Sequence, residues 1–169
     1  VLQDTWLFSG TIRENIAYGR EGATNEEIIR AAKTAKAHHF IKALPGGYRM
    51  MLNEDATNIS EGQRQLLTIA RAVLADKRLL ILDEATASLD TETEKQIQHS
   101  LNELDFPCTK IIIAQRIASV QDSDLIIVLD NGKIESMGTH DELMASSRIY
   151  REVYESQNKV TVEGGADNE

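Results

Sequence analysis

One cysteine, Cys108, is all that the 169 residues hold, which excludes an internal disulfide, and no ligand spacing around it suits zinc. A reducing, cytosolic setting is the default expectation. Basic residues are also scarce: 18 Lys and Arg stand against 27 Asp and Glu, a net charge of −9. Such a balance offers no global basic field to grip nucleic acid or anionic lipid, and neither is expected as a partner. No apolar run approaches the roughly 18–20 residues of a membrane span, and the start lacks the basic and continuous apolar stretches of a secretion signal. Internal repeats and low-complexity blocks are missing. The sequence opens on Val1 and enters apolar residues at once, as expected for a piece of a longer protein. What is present is 41% hydrophobic, enough for a real core in one domain-sized chain.

Hydrophobic period divides the chain near residue 75 into a helical first part and a strand-rich second part. Thr11 and Glu14 form a capping box for a short helix through Ile16. Asn25 is the expected N-cap of a longer helix carrying Ile28, Ala32 and Ala35 on one face, stopped by Leu44-Pro45-Gly46-Gly47. The strongest helix runs from about Ser60 to Ala75, opened by a Ser60-x-x-Gln63 box, with Leu66, Ile69, Ala70, Val73 and Leu74 as its apolar stripe. Beyond it, Leu79–Leu82, Ile111–Ala114 and Leu125–Leu129 read as parallel strands covered on both faces. A crossover helix from Thr91 to Leu104, with Ile97, Leu101 and Leu104 inward, makes the first two a βαβ unit. Asp130-Asn131-Gly132 signals a hairpin into Lys133–Ser136, and Thr139 with Glu142 caps a last helix. From Gln157 to Glu169 the composition is polar and acidic, and a disordered tail is expected.

In open parallel sheets the ligand crevice lies at the carboxyl ends of the strands. There the sequence places Asp83 and Glu84 after one apolar run, and Gln115 and Arg116 after the next. Adjacent carboxylates at such an end can divide labour, one binding a divalent metal and the other polarising a water for attack on phosphate. A capping role toward the next segment explains them equally well. Ser60-Glu61-Gly62-Gln63 at a helix start offers amide N–H groups, a favourable dipole and a side-chain-free residue to a phosphate oxygen, although a plain capping box also accounts for it. Their joint occurrence with Ser88-Leu89-Asp90 at fixed spacing separates these alternatives.

The sequence resembles the nucleotide-binding domain of ATP-binding cassette transporters, the exporter type above all. Asn58-Ile59-Ser60-Glu61-Gly62-Gln63 is similar to the signature motif Leu-Ser-Gly-Gly-Gln, Leu79–Glu84 to the Walker B strand, and Ser88-Leu89-Asp90 to the D-loop. Gln3 falls at the Q-loop glutamine, and Leu7-Phe8-Ser9-Gly10-Thr11-Ile12-Arg13-Glu14-Asn15-Ile16 is exporter-like. The match runs from Val1 to about Glu155. It implies an α/β fold: a partial P-loop NTPase (RecA-like) core with parallel strands, plus an α-helical signature subdomain. Residues 1–75 would hold the Q-loop and signature subdomain, 76–156 the Walker B, D-loop and switch part of the core, and 157–169 the tail.

The resemblance also implies roles. ATP and Mg²⁺ are the expected ligands: Asp83 binds the metal through its water shell, Glu84 orients the attacking water as general base, and Gln3 touches metal and water while coupling to the membrane domain. Ser60, Gly62 and Gln63 act in trans on nucleotide held by a second nucleotide-binding domain, identical or not, and Asp90 communicates across that interface. The transmembrane domain of the parent protein is the other partner, at the cytoplasmic face of the membrane.

Three departures qualify this. Gly-x-x-x-x-Gly-Lys-[Ser/Thr] is absent; the only Gly-Lys, Gly132-Lys133, is followed by Ile134 and preceded at the required distance by Ile127. The isolated chain is therefore expected to bind ATP weakly or not at all, to be inactive, and to self-associate through uncovered strand edges and apolar faces. Gln115 stands where the family has its switch histidine; an amide can donate to a γ-phosphate oxygen but cannot titrate near neutrality, which points to one member of a heterodimer. Met51–Thr57 keeps Glu54 without the usual glycines, and Glu54 reads either as facing the membrane domain or as a solvated loop residue. Trp6 and Phe8 read as lining a groove for a membrane-domain helix or as packing, and His38, His39, His99 and His140 as surface polar residues. Against a transport ATPase stand two other readings: a non-catalytic degenerate cassette that binds nucleotide to hold a heterodimer together, and a soluble cassette ATPase acting on DNA or ribosomes, disfavoured by the acidic balance.

Overall fold

The computed structural model describes residues 6–84, 89–102 and 108–163. The first of two compact units, Val1–Ile113, begins with strand β1 (Gly10–Thr11) and helices α1 (Ile12–Ala17), α2 (Asn25–Thr34) and α3 (His38–Ala43). Strand β2 (Met51–Leu52), helix α4 (Glu61–Leu74), strand β3 (Leu79–Asp83), helix α5 (Thr91–Asn102) and strand β4 (Thr109–Ile113) follow. Thr11 and Glu14 form the expected box at α1. At α2 the box is one residue earlier than expected: Thr24 is the N-cap and Glu27 its partner, while Asn25 is already helical and accepts from Arg13 Nε at 2.6 Å.

The single long helix expected up to Leu44 is two helices. Lys36 turns left-handed at φ 57°, the Lys36 N–H donates to Lys33 O at 3.0 Å, and the Ala37 N–H donates to Ala32 O at 2.8 Å. This is a Schellman closure with lysine where glycine is usual, so the composition gave no sign of it.

β1 and β2 pair antiparallel, Gly10 opposite Leu52, and both α1 and α2 pack on α4. Ile12, Ile16, Ile28, Leu67 and Ile69 are completely or almost completely buried there, each contributing about 1.5–3 kcal/mol relative to exposure. Gly19 sits so close to α4 that a Cβ on it would lie 2.2 Å from the Arg71 carbonyl oxygen.

β3 and β4 pair in parallel from Leu79–Thr109 to Asp83–Ile113, with α5 between them in sequence, as a βαβ unit requires. Leu80, Leu82, Ile97 and Leu101 join α4 in one hydrophobic cluster. That cluster holds residues from both sides of residue 75 within the first compact unit, which ends at Ile113. Leu104 lies outside the described residues. Coverage on both strand faces does not hold: Leu80 and Leu82 are buried, whereas Leu79, Ile81, Ile111 and Ile113 are 42% to 50% exposed. Within this unit, packing reaches one face of the pair.

The second unit, Ala114–Glu169, holds strands β5 (Ile126–Asp130) and β6 (Lys133–Gly138), then helices α6 (His140–Ser146) and α7 (Arg148–Glu163). Leu125–Leu129, expected as a third parallel strand, belongs to an antiparallel hairpin. Asn131 and Gly132, both at positive φ, close it in two residues, as the right-handed strand twist favours. Thr139 and Glu142 cap α6 as expected, but α6 is not the last helix. α7 continues through Glu163, so the tail expected from Gln157 is helical over 157–163. Ile117, Ile126, Leu143 and Tyr150 form this unit's own core. Among the described residues no helix is long and apolar enough to cross a membrane.

Candidate functional site

Ser60 sits in extended backbone at the start of α4, with its Oγ accepting from the Gln63 N–H at 3.2 Å; the Gln63 Oε1 accepts from the Ser60 N–H at 3.0 Å. The capping box is thus real. It leaves the Ser60 hydroxyl hydrogen able to donate, and helix geometry gives the Glu61 and Gly62 N–H groups no intrahelical acceptor. Gly62 adds no side chain to obstruct an approaching oxygen. The lead-in is braced: Asn53 and Asn58 exchange backbone-to-side-chain bonds at 3.2 and 3.4 Å, and Asn58 Nδ2 donates to Met51 O at 2.9 Å. Glu54, in that lead-in, is exposed.

Boxes of this kind also open α1, α2 and α6, and there the third residue is glutamate. Backbone N–H groups, then hydroxyls, hold Glu14, Glu27 and Glu142 below the usual carboxylate value. Gln63 makes the same backbone bond without a charge. The first turn of α4 still carries one carboxylate, Glu61, so the neutral box lowers the negative charge at this helix end without removing it.

Asp83 ends β3 opposite Ile113. Glu84 extends the ladder by donating its N–H to Ile113 O at 2.9 Å, but its backbone is left-handed, φ 46°. For a non-glycine residue that conformation costs roughly 1–2 kcal/mol, and strain of this sort gathers at functional positions. Asp90 caps α5, its two oxygens accepting from the Thr93 N–H at 2.9 Å and hydroxyl at 2.6 Å. Gln3 and Ser88 lie outside the described residues.

Gln115 is exposed, in the second unit, on the loop between β4 and the short helical turn Ile117–Ser119. The Gln157 side chain holds that loop from α7: Nε2 donates to Gln115 O at 2.7 Å, and Oε1 accepts from the Ile117 N–H at 2.9 Å. Sequence reasoning placed Gln157 in the tail and missed this.

Around Trp6 and Phe8 the packing reading has structural content. The Arg71 guanidinium lies 5.7, 5.9 and 5.4 Å from the ring centroids of Trp6, Phe8 and Tyr18. Trp6 and Tyr18 still show 60% and 66% of their surface to solvent. Two of the histidines do more than meet solvent: His38 Nδ1 lies 2.8 Å from the Tyr48 hydroxyl, and His140 Nδ1 lies 2.8 Å from that of Tyr150. Burial pushes Tyr48 up to about 12, so its hydroxyl stays protonated.

Among the described residues no three His, Cys, Asp or Glu side chains cluster as a metal cage. Mg²⁺ needs none, since it is held by one or two carboxylates together with water and substrate phosphates. The hard oxygens of Asp83 and Glu84 at a strand end fit that requirement.

The sequence pattern of the ABC transporter family matches residues 1–87. The chain belongs to the ABC transporter family. It is 54% identical over 157 residues to the ABC transporter ATP-binding protein YfiC of Bacillus subtilis, covering 93% of this chain and 26% of that protein. To the fatty acid ABC transporter ATP-binding/permease protein of Mycobacterium bovis it is 51% identical over 150 residues, 89% of this chain and 24% of the relative. A solved bacterial Atm1-family ABC exporter with ATP bound superposes with a TM-score of 0.87 at 40% identity, over 92% of this chain and 27% of that one. The chain therefore spans about a quarter of the length of these relatives. Its mixed α/β fold is that of an ABC exporter nucleotide-binding domain.

Proposed function

We propose that the ABC exporter containing this chain hydrolyses MgATP at a head-to-tail pair of cassettes and couples closure and reopening of that pair to transport across a membrane. The observation that carries the reading is the Asp83–Glu84 pair at the end of β3, with Glu84 held in a left-handed turn against Ile113. Asp83 would hold Mg²⁺ through its water shell. When bound there, Mg²⁺ would supply charge neutralisation at the phosphates. Glu84 orients the attacking water and takes its proton, Gln3 contacts the same water, and Gln115 donates from its amide to the γ-phosphate. Ser60, Gly62 and Gln63 close over the nucleotide of the partner cassette, and Asp90 carries the state of one site to the other. The nucleotide-binding part lies at the cytoplasmic face of the membrane, against the transmembrane domain.

Release of phosphate from MgATP by the full-length protein tests this. Glu84→Gln should lower kcat by about 100-fold or more while nucleotide binding persists, the range expected for loss of a general base. Equal turnover in the variant overturns the assignment.

Gln115 favours a second reading, a cassette that binds nucleotide mainly to hold a heterodimer together. On that reading Gln115→His raises turnover in the full-length pair; an unchanged rate counts against it. The 169-residue chain by itself, having no P-loop sequence, should show no saturable MgATP binding in the micromolar range by the fluorescence of Trp6. Its exposed Leu79, Ile81, Ile111 and Ile113 support self-association, and a monomeric mass at all accessible concentrations in sedimentation would refute it.

A further inference from the structure

We propose that Gln157 is a positioning residue for phosphate sensing: from α7, its side-chain amide fixes the main chain that presents Gln115. The proposal rests on the assignment of Gln115 to the γ-phosphate made above.

Arg116, between the two clamped groups, has extended backbone (φ −93°, ψ 124°). In extended backbone the carbonyl of the preceding residue and the N–H of the following one point to the same side. Those are the two groups Gln157 engages, donating to Gln115 O at 2.7 Å and accepting from the Ile117 N–H at 2.9 Å. A primary amide carries one donor face and one acceptor face, so it can stand in for a neighbouring strand at this point. Neither a carboxylate nor an ammonium can make both bonds.

The clamp acts on a loop fixed from its other end as well. Ile117 is buried with Ile126, Leu143 and Tyr150, and α7 packs against the Ile117–Ser119 turn. The loop thus has an apolar anchor at Ile117 and a polar one at Gln115 O, one residue either side of Arg116. Fixing the Gln115 carbonyl fixes the start of its side chain. An exposed glutamine without such a hold loses rotamer and backbone freedom each time it meets a phosphate, and preorganisation removes part of that cost.

The test is a double-mutant cycle in the full-length protein, with Gln157→Leu and Gln157→Glu measured in the wild-type and Gln115→Ala backgrounds. In the wild-type background kcat should fall about tenfold with KM for ATP changed less than about twofold. In the Gln115→Ala background the same substitutions should change kcat by less than about twofold, because the residue they act through is gone. Equal losses in both backgrounds, or no loss in the first, overturn the proposal. A wild-type protein without turnover overturns the ATPase reading, and the sensing role with it; turnover that Gln157→Leu leaves untouched overturns only the role of Gln157. Amide exchange in the 169-residue chain separates local from global effects. Gln157→Leu should speed exchange at Ile117 and leave Ile126 and Leu143 unchanged, whereas uniformly faster exchange rules out specific positioning.

Discussion

Arg71 and Asn15 are joined twice: the guanidinium Nε donates to the Asn15 carbonyl at 2.8 Å, and Nη2 donates to its side-chain oxygen at 3.0 Å. Asn15 is fully buried, and its amide also bonds to both the N–H and the carbonyl of Phe8. A third bond runs from Arg71 Nη1 to Trp6 O at 2.9 Å. One side chain on α4, with Asn15, therefore ties Trp6 and Phe8 to α1 and to the helix that Ser60 opens. Burial lowers the Arg71 pKa, but a guanidinium stays charged at any ordinary pH.

Arg71→Lys keeps the charge and loses the fork of directional donors. A loss of about 2 kcal/mol in stability is expected, with Arg71→Met at least as damaging because Trp6 O and Asn15 O lose their donor. Thermal unfolding followed by Trp6 fluorescence measures both. Unchanged melting in Arg71→Lys would show that charge over the three rings is the whole contribution.

Gln63→Glu converts the neutral box to the kind found at α1, α2 and α6. The acceptor toward the Ser60 N–H is retained, so stability should stay within about 0.5 kcal/mol. On the proposed arrangement the added charge would face phosphate in the full-length protein, and the ATP concentration needed for half-maximal turnover should rise about tenfold or more. A variant with normal ATP dependence would mean that this helix end does not meet nucleotide.

Gly19→Ala and Gly22→Ala separate two costs of adding one carbon. At Gly19 the new Cβ meets Arg71 O at 2.2 Å, and pushing α1 from α4 should cost about 3 kcal/mol. At Gly22 nothing lies within 4 Å, and only the left-handed backbone, φ 75°, opposes alanine, at about 1 kcal/mol. Denaturant unfolding of the two variants should preserve that order.

Glu14, Glu27 and Glu142 accept from backbone N–H groups in the folded chain, which lowers their pKa from 4.5. A depressed folded value means stability that is present above the unfolded pKa and lost as pH falls through the folded one. Stability should decline from about pH 5 downward. The triple variant Glu14→Gln, Glu27→Gln, Glu142→Gln should flatten that decline, as read from urea midpoints between about pH 6 and pH 3. An equally steep decline in the triple variant places the acid sensitivity elsewhere.

The elements legible in the sequence are those whose determinants lie a few residues apart. Thr11 with Glu14, Ser60 with Gln63 and Thr139 with Glu142 announce their helices, and Thr24 with Glu27 carried the same signal beside the less informative Asn25. Lys36 could not be foreseen, since a lysine in the glycine position of a helix terminus looks like any other helical lysine. The run Leu125–Leu129 reports apolar character but not the direction of its partner, which the Asn131-Gly132 turn decides. At the site, Asp83 and Glu84 were visible as residues following an apolar strand, whereas the left-handed turn at Glu84 was not. Gln157 and Arg71 act over 40 and 56 residues of sequence and leave no local trace.

Leu79, Ile81, Ile111 and Ile113 on the β3–β4 pair, and Leu125, Ile127, Leu129 and Ile134 on the hairpin, already meet water in the folded chain. Heat capacity and denaturant slope count only surface that unfolding newly exposes. Residues such as these, already 42% to 69% exposed, add full length while contributing only part of their surface to either quantity. In a calorimeter the monomeric chain should therefore register as a smaller protein than its 169 residues, with a heat-capacity increment below the roughly 12–15 cal/mol/K per residue of ordinary domains.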